Sequence, residues 1–150
     1  MQTSHFEIEI NAPVAKVWDT MLSEPTYRQW TAVFMPGSTF EGSWQEGELI
    51  RFLAPDENGK PGGMVARIKA NRPHEFISIE HLGIVADGKD VTSGEEVEDW
   101  AGALENYTFE DMGNGKTKVK VDVDLGADYQ EDMEKAWPQA LNDLKRIAEA

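Results

Sequence analysis

Three side chains on two predicted strands offer most of the chemistry in this sequence. His81 follows Ile77 and Ile79 at alternate positions, so it is predicted to point to the apolar side of its strand. Glu105 and Tyr107 share one face of the next predicted strand. A histidine, a carboxylate and a phenol in an apolar pocket can orient a ligand or act as general acid and base. The alternative is that they hydrogen-bond one another and only satisfy a polar core.

Aromatic residues are the second feature, with five tryptophans in 150 residues. Such side chains suit the wall of a pocket for a flat, apolar ligand, but they are equally typical of an ordinary core. The residues predicted to line a pocket or bind a ligand are Trp30, Trp44, Phe52, Met64, Ile79, His81, Trp100, Tyr107, Phe109, Met133, Trp137 and Leu141. The sequence assigns a catalytic role to none of them.

Known catalytic and cofactor motifs are missing from the sequence. It contains no Gly-rich phosphate loop, no G-x-S-x-G, no H-E-x-x-H and no cysteine. The histidines His5, His74 and His81 are far apart, and none has a second ligand at metal-binding spacing. The sequence therefore predicts neither a metal ion nor a cofactor.

Charge and composition exclude several kinds of partner. The chain has 28 acidic and 14 basic residues and a net charge of −14, so neither nucleic acid nor an anionic membrane is an expected partner. No apolar run approaches the length of a membrane span, and the first five residues lack the features of a secretory signal. With no cysteine, these features favour a cytoplasmic protein. The oligomeric state stays open.

Periodicity predicts the elements that must position these residues. Apolar alternation or turn signals indicate seven strands, over residues 4–10, 38–44, 48–54, 63–71, 76–82, 103–111 and 116–125. Helical spacing predicts two short helices after the first strand, around residues 14–22 and 25–30, and a long helix over 128–148. Pro138 is expected to kink that last helix without ending it. Helices on one face of an antiparallel meander make an α+β domain spanning residues 1–150.

Residues 83–102 form the longest predicted connection. Ser93 and Glu96 resemble a capping box, which predicts a short helix through Asp99. Trp100 would then follow this helix and cover the mouth of a pocket. Long connections are often lids, and a passive insertion is the other interpretation.

Several short motifs, in this order, resemble the START-like (SRPBCC) superfamily, typified by the birch pollen allergen. Within it they are most similar to the activator of Hsp-90 ATPase homologue family. The motifs are INAPVAKVWD at 10–19, YRQW at 27–30, GSW at 42–44 with GELIRF at 47–52, and WPQAL at 137–141 with LK at 144–145. The resemblance implies a helix-grip fold, in which seven curved antiparallel strands wrap around the long C-terminal helix and enclose a cavity.

The resemblance also implies a range of functions. Members of the superfamily bind lipids, sterols, polyketides or plant hormones, and some are cyclases, hydrolases or dehydratases. The first hypothesis is therefore a binding protein for a small hydrophobic molecule, and the second an enzyme acting on such a molecule through His81 and Tyr107. A chaperone-interaction domain is the weakest of the three hypotheses, because the eukaryotic activators contact the chaperone largely through an additional N-terminal domain.

Overall fold

The computed structural model describes residues 2–55, 58–86, 88–94, 97, 98 and 101–150, with backbone only at 61 and 127–129. Within these residues the chain forms one sheet, three α-helices and a short 3₁₀ helix at Thr31–Val33. The α-helices are α1 (Val14–Leu22), α2 (Glu24–Trp30) and α3 (Ala127–Glu149). The strands are β1 (Gln2–Ile10), β2 (Thr39–Gly42), β3 (Leu49–Pro55), β4 (Pro61–Arg72), β5 (Phe76–Ala86), β6 (Lys89–Val91), β7 (Leu104–Gly113) and β8 (Lys116–Leu125).

The strands form one antiparallel sheet in the order β1-β8-β7-β5-β4-β3-β2, with β6 alongside the end of β5. Alternation decides which face each side chain takes, because successive residues of a strand point to opposite sides. On β8, Val119, Val121 and Val123 are buried. They lie on the inner face of the sheet, the face that packs against the helices, as the sequence predicts.

The chain after residue 82 differs most from the sequence prediction. Strand β5 continues to Ala86, and the chain then turns back into β6, whose register pairs Ile84 with Val91. The sheet thus has eight strands, one more than predicted. Strand β6 has only three residues, which is too short for alternation to reveal it. A local signal does exist, since Asp87-Gly88 is a dipeptide typical of tight hairpins.

Gly83 allows this hairpin to close onto the sheet. A Cβ atom at this position would lie 1.9 Å from the carbonyl oxygen of Val91, a distance that no side chain tolerates. Gly88, in the turn itself, has a φ of +76°, which lies in the left-handed region that glycine adopts without strain.

The described part of the connection from β6 to β7 consists of turns that rejoin the sheet at β5. The amide of Ala101 donates to the carbonyl of Val97 at 2.8 Å, and that of Gly102 donates to the carbonyl of His81 at 2.7 Å. Of the short helix expected through Asp99, the structure describes only residues 93, 94, 97 and 98, in a bend and a turn. Its capping residue Glu96, Asp99 itself and the covering residue Trp100 lie outside the described residues.

Helix α3 covers the inner face of the sheet with a continuous apolar stripe. Trp137, Ala140, Leu141 and Leu144 are each no more than 3% exposed, and they share one buried cluster with the inner residues of the sheet. The helix runs through Pro138 and begins at Ala127, with Gly126 at the N-cap. Within the described chain, no helix is long and apolar enough to cross a membrane.

Truncation of a buried leucine tests the contribution of α3. Leu141 is 1% exposed, so we expect Leu141→Ala to lower the free energy of unfolding by about 2–5 kcal/mol, the usual cost of such a cavity. Leu49→Ala is the matched control, because Leu49 is 36% exposed and surface changes usually cost about 0.5 kcal/mol. Urea denaturation measures both. Equal losses would mean that α3 is peripheral to the core.

Candidate functional site

Pairing between β5 and β7 brings the three polar side chains together. Their register places Ile79 opposite Glu105 and Ile77 opposite Tyr107, and residues directly opposite each other share a face. His81 lies two residues beyond Ile79, and its amide donates to the carbonyl of Ala103 at 2.9 Å. All three polar side chains therefore project from the inner face of neighbouring strands.

Glu105 is the centre of this polar cluster. The His81 Nε2 atom lies 3.2 Å from Glu105 Oε1, and the Tyr107 hydroxyl donates to Glu105 Oε2. Because a carboxylate oxygen accepts, the proton of this contact is carried by Nε2 of the imidazole. The side chain of His81 is 7% exposed and that of Glu105 is 16% exposed. We call His81, Glu105 and Tyr107 the polar cluster.

Two tyrosines near this carboxylate are held in their neutral form. Burial, and after it the negative charge of Glu105, raises the pKa of the Tyr27 phenol. The pKa of Tyr107 is raised by burial first, then by the charge of Glu105, and its hydrogen bond to that carboxylate adds to the rise. At neutral pH both phenols are therefore hydrogen-bond donors and not bases.

Four aromatic side chains, Tyr27, Phe40, Trp44 and Phe52, form a wall beside the polar cluster. The Tyr27 ring centroid lies 5.1 Å from that of Phe40 and 6.2 Å from that of Phe52. The Phe52 ring lies 5.7 Å from Trp44 and 6.2 Å from the His81 imidazole. Phe40, Trp44 and Phe52 are only partly buried. We call these four residues the aromatic wall.

Trp30, the last residue of α2, and Trp44, shortly after β2, are each anchored by a hydrogen bond to a backbone carbonyl. The indole Nε1 of Trp30 donates to the Met21 carbonyl at 3.0 Å, and that of Trp44 donates to the Leu22 carbonyl at 2.9 Å. Both acceptors are in the last turn of α1, where carbonyls have no partner within the helix. These bonds fix α1 and α2 relative to the wall.

The predicted site residues divide into several groups. Those in the polar cluster or the aromatic wall are Trp44, Phe52, His81 and Tyr107. Trp30 and Trp137 form the next layer, with ring centroids 6.0 Å apart, and Trp137 lies 6.1 Å from Tyr107. This layer is continuous with the core.

Other predicted site residues lie elsewhere. Ile79 and Leu141 are fully buried core residues, and Phe109 packs its ring against Trp18 at 5.0 Å. Met133 is partly buried at the margin of the core. Met64 is on the inner face opposite Phe52 but is 38% exposed.

Sequence reasoning missed Tyr27 and Phe40 as site residues. Tyr27 is three residues before Trp30 on α2, and this spacing puts both on one helical face. That spacing was an available signal, but it could not show which part of the sheet α2 faces. Phe40 belongs to β2, a strand of four residues that is too short to define a buried face.

Two depressions of the structure lie away from the polar cluster. One, of about 490 Å³, is bordered on the outer face of the sheet by Leu49, Val65, Arg67 and Leu82. The other, of about 200 Å³, lies between β2 and β3 around Leu53. Neither is lined by a member of the polar cluster. Among the described residues there is also no group of three or more acidic or histidine side chains placed to hold a metal ion.

The sequence matches a family model described as Activator of Hsp90 ATPase homolog 1-like protein over residues 11–149. The chain belongs to this family. The match covers nearly the whole chain, and it agrees with the START-like resemblance of the sequence motifs. None of the curated proteins matches the sequence significantly.

Several solved structures are similar to this chain over nearly its whole length. The Aha1 dimer from Colwellia psychrerythraea is 18% identical, with coverage of 99% of this chain and 97% of that one and a TM-score of 0.72. Protein CV1439 from Chromobacterium violaceum is 17% identical, with coverage of 100% and 99% and a TM-score of 0.67. DynU16, from the dynemicin biosynthetic locus, is 13% identical, with coverage of 97% and 46% and a TM-score of 0.65. At these identities the likeness establishes the curved antiparallel sheet and C-terminal helix of the helix-grip fold.

The raised pKa values of the two tyrosines predict a loss of stability in alkali. The folded state favours the neutral phenols, so their contribution is complete below about pH 10, the ordinary tyrosine pKa. It is lost as the pH rises from there towards the raised pKa of the folded state. Each tyrosine should lower the free energy of unfolding by about 1.4 kcal/mol per pH unit in this range.

Urea denaturation between neutral and alkaline pH measures this slope. Tyr107→Phe should remove about 1.4 kcal/mol per pH unit from it, because phenylalanine cannot ionise. Effects of the lysines cancel in the comparison with the unaltered protein. An identical slope in the variant and the unaltered protein would contradict the burial of the Tyr107 hydroxyl beside Glu105.

Proposed function

We propose that this protein binds a small hydrophobic ligand at the inner face of its sheet, beside the polar cluster and the aromatic wall. The observation that carries the proposal is the position of Glu105, a largely buried carboxylate at the margin of the apolar core. Burial of a charge in a core costs free energy, and well-packed apolar residues often replace buried charged groups without loss of stability. A role in ligand binding explains why the carboxylate is there.

The surroundings of Glu105 have the composition of a ligand site. Small-molecule sites are mostly apolar and aromatic, with a few polar groups that orient the ligand. Here the aromatic wall provides the apolar surface, and its half-buried residues Phe40, Trp44 and Phe52 form the side from which a ligand approaches. The polar cluster provides one acceptor, Glu105, next to the donor groups of His81 and Tyr107.

Neither of the two depressions described above reaches the polar cluster, so the proposal includes a change of side-chain position on binding. Trp30 and Trp44 are held by their indole hydrogen bonds. Phe40 and Phe52 have no polar group to anchor them. These two phenylalanines are therefore the side chains that move to admit a ligand against the rest of the wall.

A neutral apolar fluorophore such as N-phenylnaphthylamine tests this proposal. It should bind the native protein with about one-to-one stoichiometry and quench tryptophan emission. Phe52→Leu retains an apolar side chain but removes the ring, so binding should weaken by about two- to tenfold, equivalent to the 0.5–1.5 kcal/mol of an aromatic pair.

Phe76→Leu is the matched control for this measurement. Phe76 is also on the sheet, but the Arg72 guanidinium covers its ring at 5.1 Å, and its neighbour Ile77 is the residue that points inward. The proposal is wrong if both variants bind equally, or if the fluorophore binds only after partial unfolding. If the fluorophore shifts only the amide NMR signals of Leu49, Arg67 and Thr92, the binding site is the depression on the outer face.

The hydrogen-bonded arrangement of the polar cluster favours one alternative, an enzyme that acts on the hydrophobic ligand. Burial keeps the Tyr107 phenol protonated by raising its pKa, so Tyr107 is the candidate acid and His81 the candidate base. Native mass spectrometry of freshly purified protein would identify a retained ligand, whose turnover can then be assayed.

His81→Asn separates the binding protein from the enzyme. Asparagine retains a polar group but has no basic nitrogen. A binding protein should keep its affinity within about tenfold, or 1.4 kcal/mol, whereas an enzyme should lose on the order of a hundredfold in turnover while still binding. His74→Asn is the control, since His74 has a φ of 65°, which asparagine tolerates well, and its ring packs against Trp18. An equal effect of the two variants would exclude a specific role for His81.

A further inference from the structure

We infer that the ligand of this site is a hydrophobic cation, an organic ammonium with an apolar body, and that Glu105 selects it. This inference rests on the proposed function and adds the chemical class of the ligand. Three independent features of the molecule lead to it: the charge at the site, the aromatic surface beside it and the charge of the whole protein.

The first feature is a carboxylate without a permanent cationic partner in the described part of the chain. The contacts of Glu105 there are His81 Nε2 at 3.2 Å and the Tyr107 hydroxyl, and no described lysine or arginine pairs with it. Hydrogen bonds from a phenol and a neutral imidazole hold the carboxylate in place but do not neutralise it. A ligand cation would supply the missing charge.

The electrostatic effect of Glu105 on its surroundings supports this assignment. After burial, the negative charge of Glu105 is the next largest cause of the raised pKa values of Tyr27 and Tyr107. A field that disfavours a phenolate at these positions also disfavours a carboxylate or phosphate of a ligand there. It favours an ammonium group, and the effect is stronger than in water because the site is partly desolvated.

The second feature is the aromatic surface next to this carboxylate. The Phe52 ring lies 6.2 Å from the His81 imidazole, and that imidazole contacts Glu105. Phe52 in turn packs against Tyr27 and Trp44. The faces of aromatic rings carry negative potential and attract cations within about 6 Å. The same surface therefore contacts the apolar body of the ligand and favours its positive charge.

The third feature is the net charge of −14. A strongly negative protein raises the local concentration of cations and repels anions over long distances. This effect acts on every cation and is screened by salt. Selection by Glu105 is short-range and partly shielded from solvent, so it should persist at high salt. That difference allows an experiment to separate the two contributions.

Decylammonium, decanol and decanoate form a probe series that differs only in the head group. Displacement of bound N-phenylnaphthylamine measures their affinities, at low and at high salt. We expect decylammonium to bind about tenfold or more tightly than decanol at high salt, and decanoate to bind weakest. Glu105→Gln should abolish the advantage of decylammonium over decanol. Glu7→Gln removes the same charge from an exposed position on β1 and should leave the advantage unchanged at high salt.

Each outcome decides between the two proposals. Two results would contradict selection by Glu105 without contradicting the apolar binding site. One is that decanoate binds as tightly as decylammonium at high salt, and the other is that Glu7→Gln and Glu105→Gln have equal effects. If none of the three probes displaces the fluorophore and the fluorophore itself does not bind the native state, both proposals fall. If the Glu105→Gln variant does not fold, the order of affinities of the three probes for the unaltered protein at high salt decides whether the site selects a cation.

Discussion

The apolar inner face of the sheet is the constraint on which the rest of this structure depends. Alternation makes one face of each long strand apolar, and other elements must cover that face to shield it from water. Helix α3 packs against β1, the two short helices and the 3₁₀ helix, with Trp137, Leu141 and Leu144 in the shared core. Helix α2 extends this cover towards β2. The aromatic wall lies under this cover, at the β3–β2 end of the sheet.

The polar cluster lies at the margin of this cover, which explains how a carboxylate can exist there. Glu105 is largely but not completely shielded, and its two oxygens are occupied by neighbours on its own and the adjacent strand. A fully enclosed position would cost more free energy, since desolvation grows with burial. An exposed position would lose the electrostatic strength that a low-dielectric environment provides. A partly covered margin is the position where a charge is both tolerable and effective.

Periodicity correctly predicted much of the fold and the inward direction of several side chains. The inward direction of Ile77, Ile79 and His81 follows from the period of two, and burial confirms it. The apolar stripe of α3 follows from the period of 3.6 in the same way. The same reasoning missed β6, whose three residues are too few to establish an alternating pattern. It also missed Tyr27 and Phe40, because the pattern of a short element shows its buried face but not its neighbour.

The sequence by itself determined which side chains point inward, since that direction depends only on residues a few positions apart. It also determined the order of the longer elements, the acidic charge and the family. Only the tertiary structure decided that Glu105 contacts His81, a residue 24 positions away. It also decided that Tyr27, on a helix, lies near enough to this carboxylate for the charge to raise the tyrosine pKa. These arrangements depend on which strands pair and on the position of α2, and both are settled by packing over the whole core. Local patterns do not contain that information, because many pairings would bury the same residues.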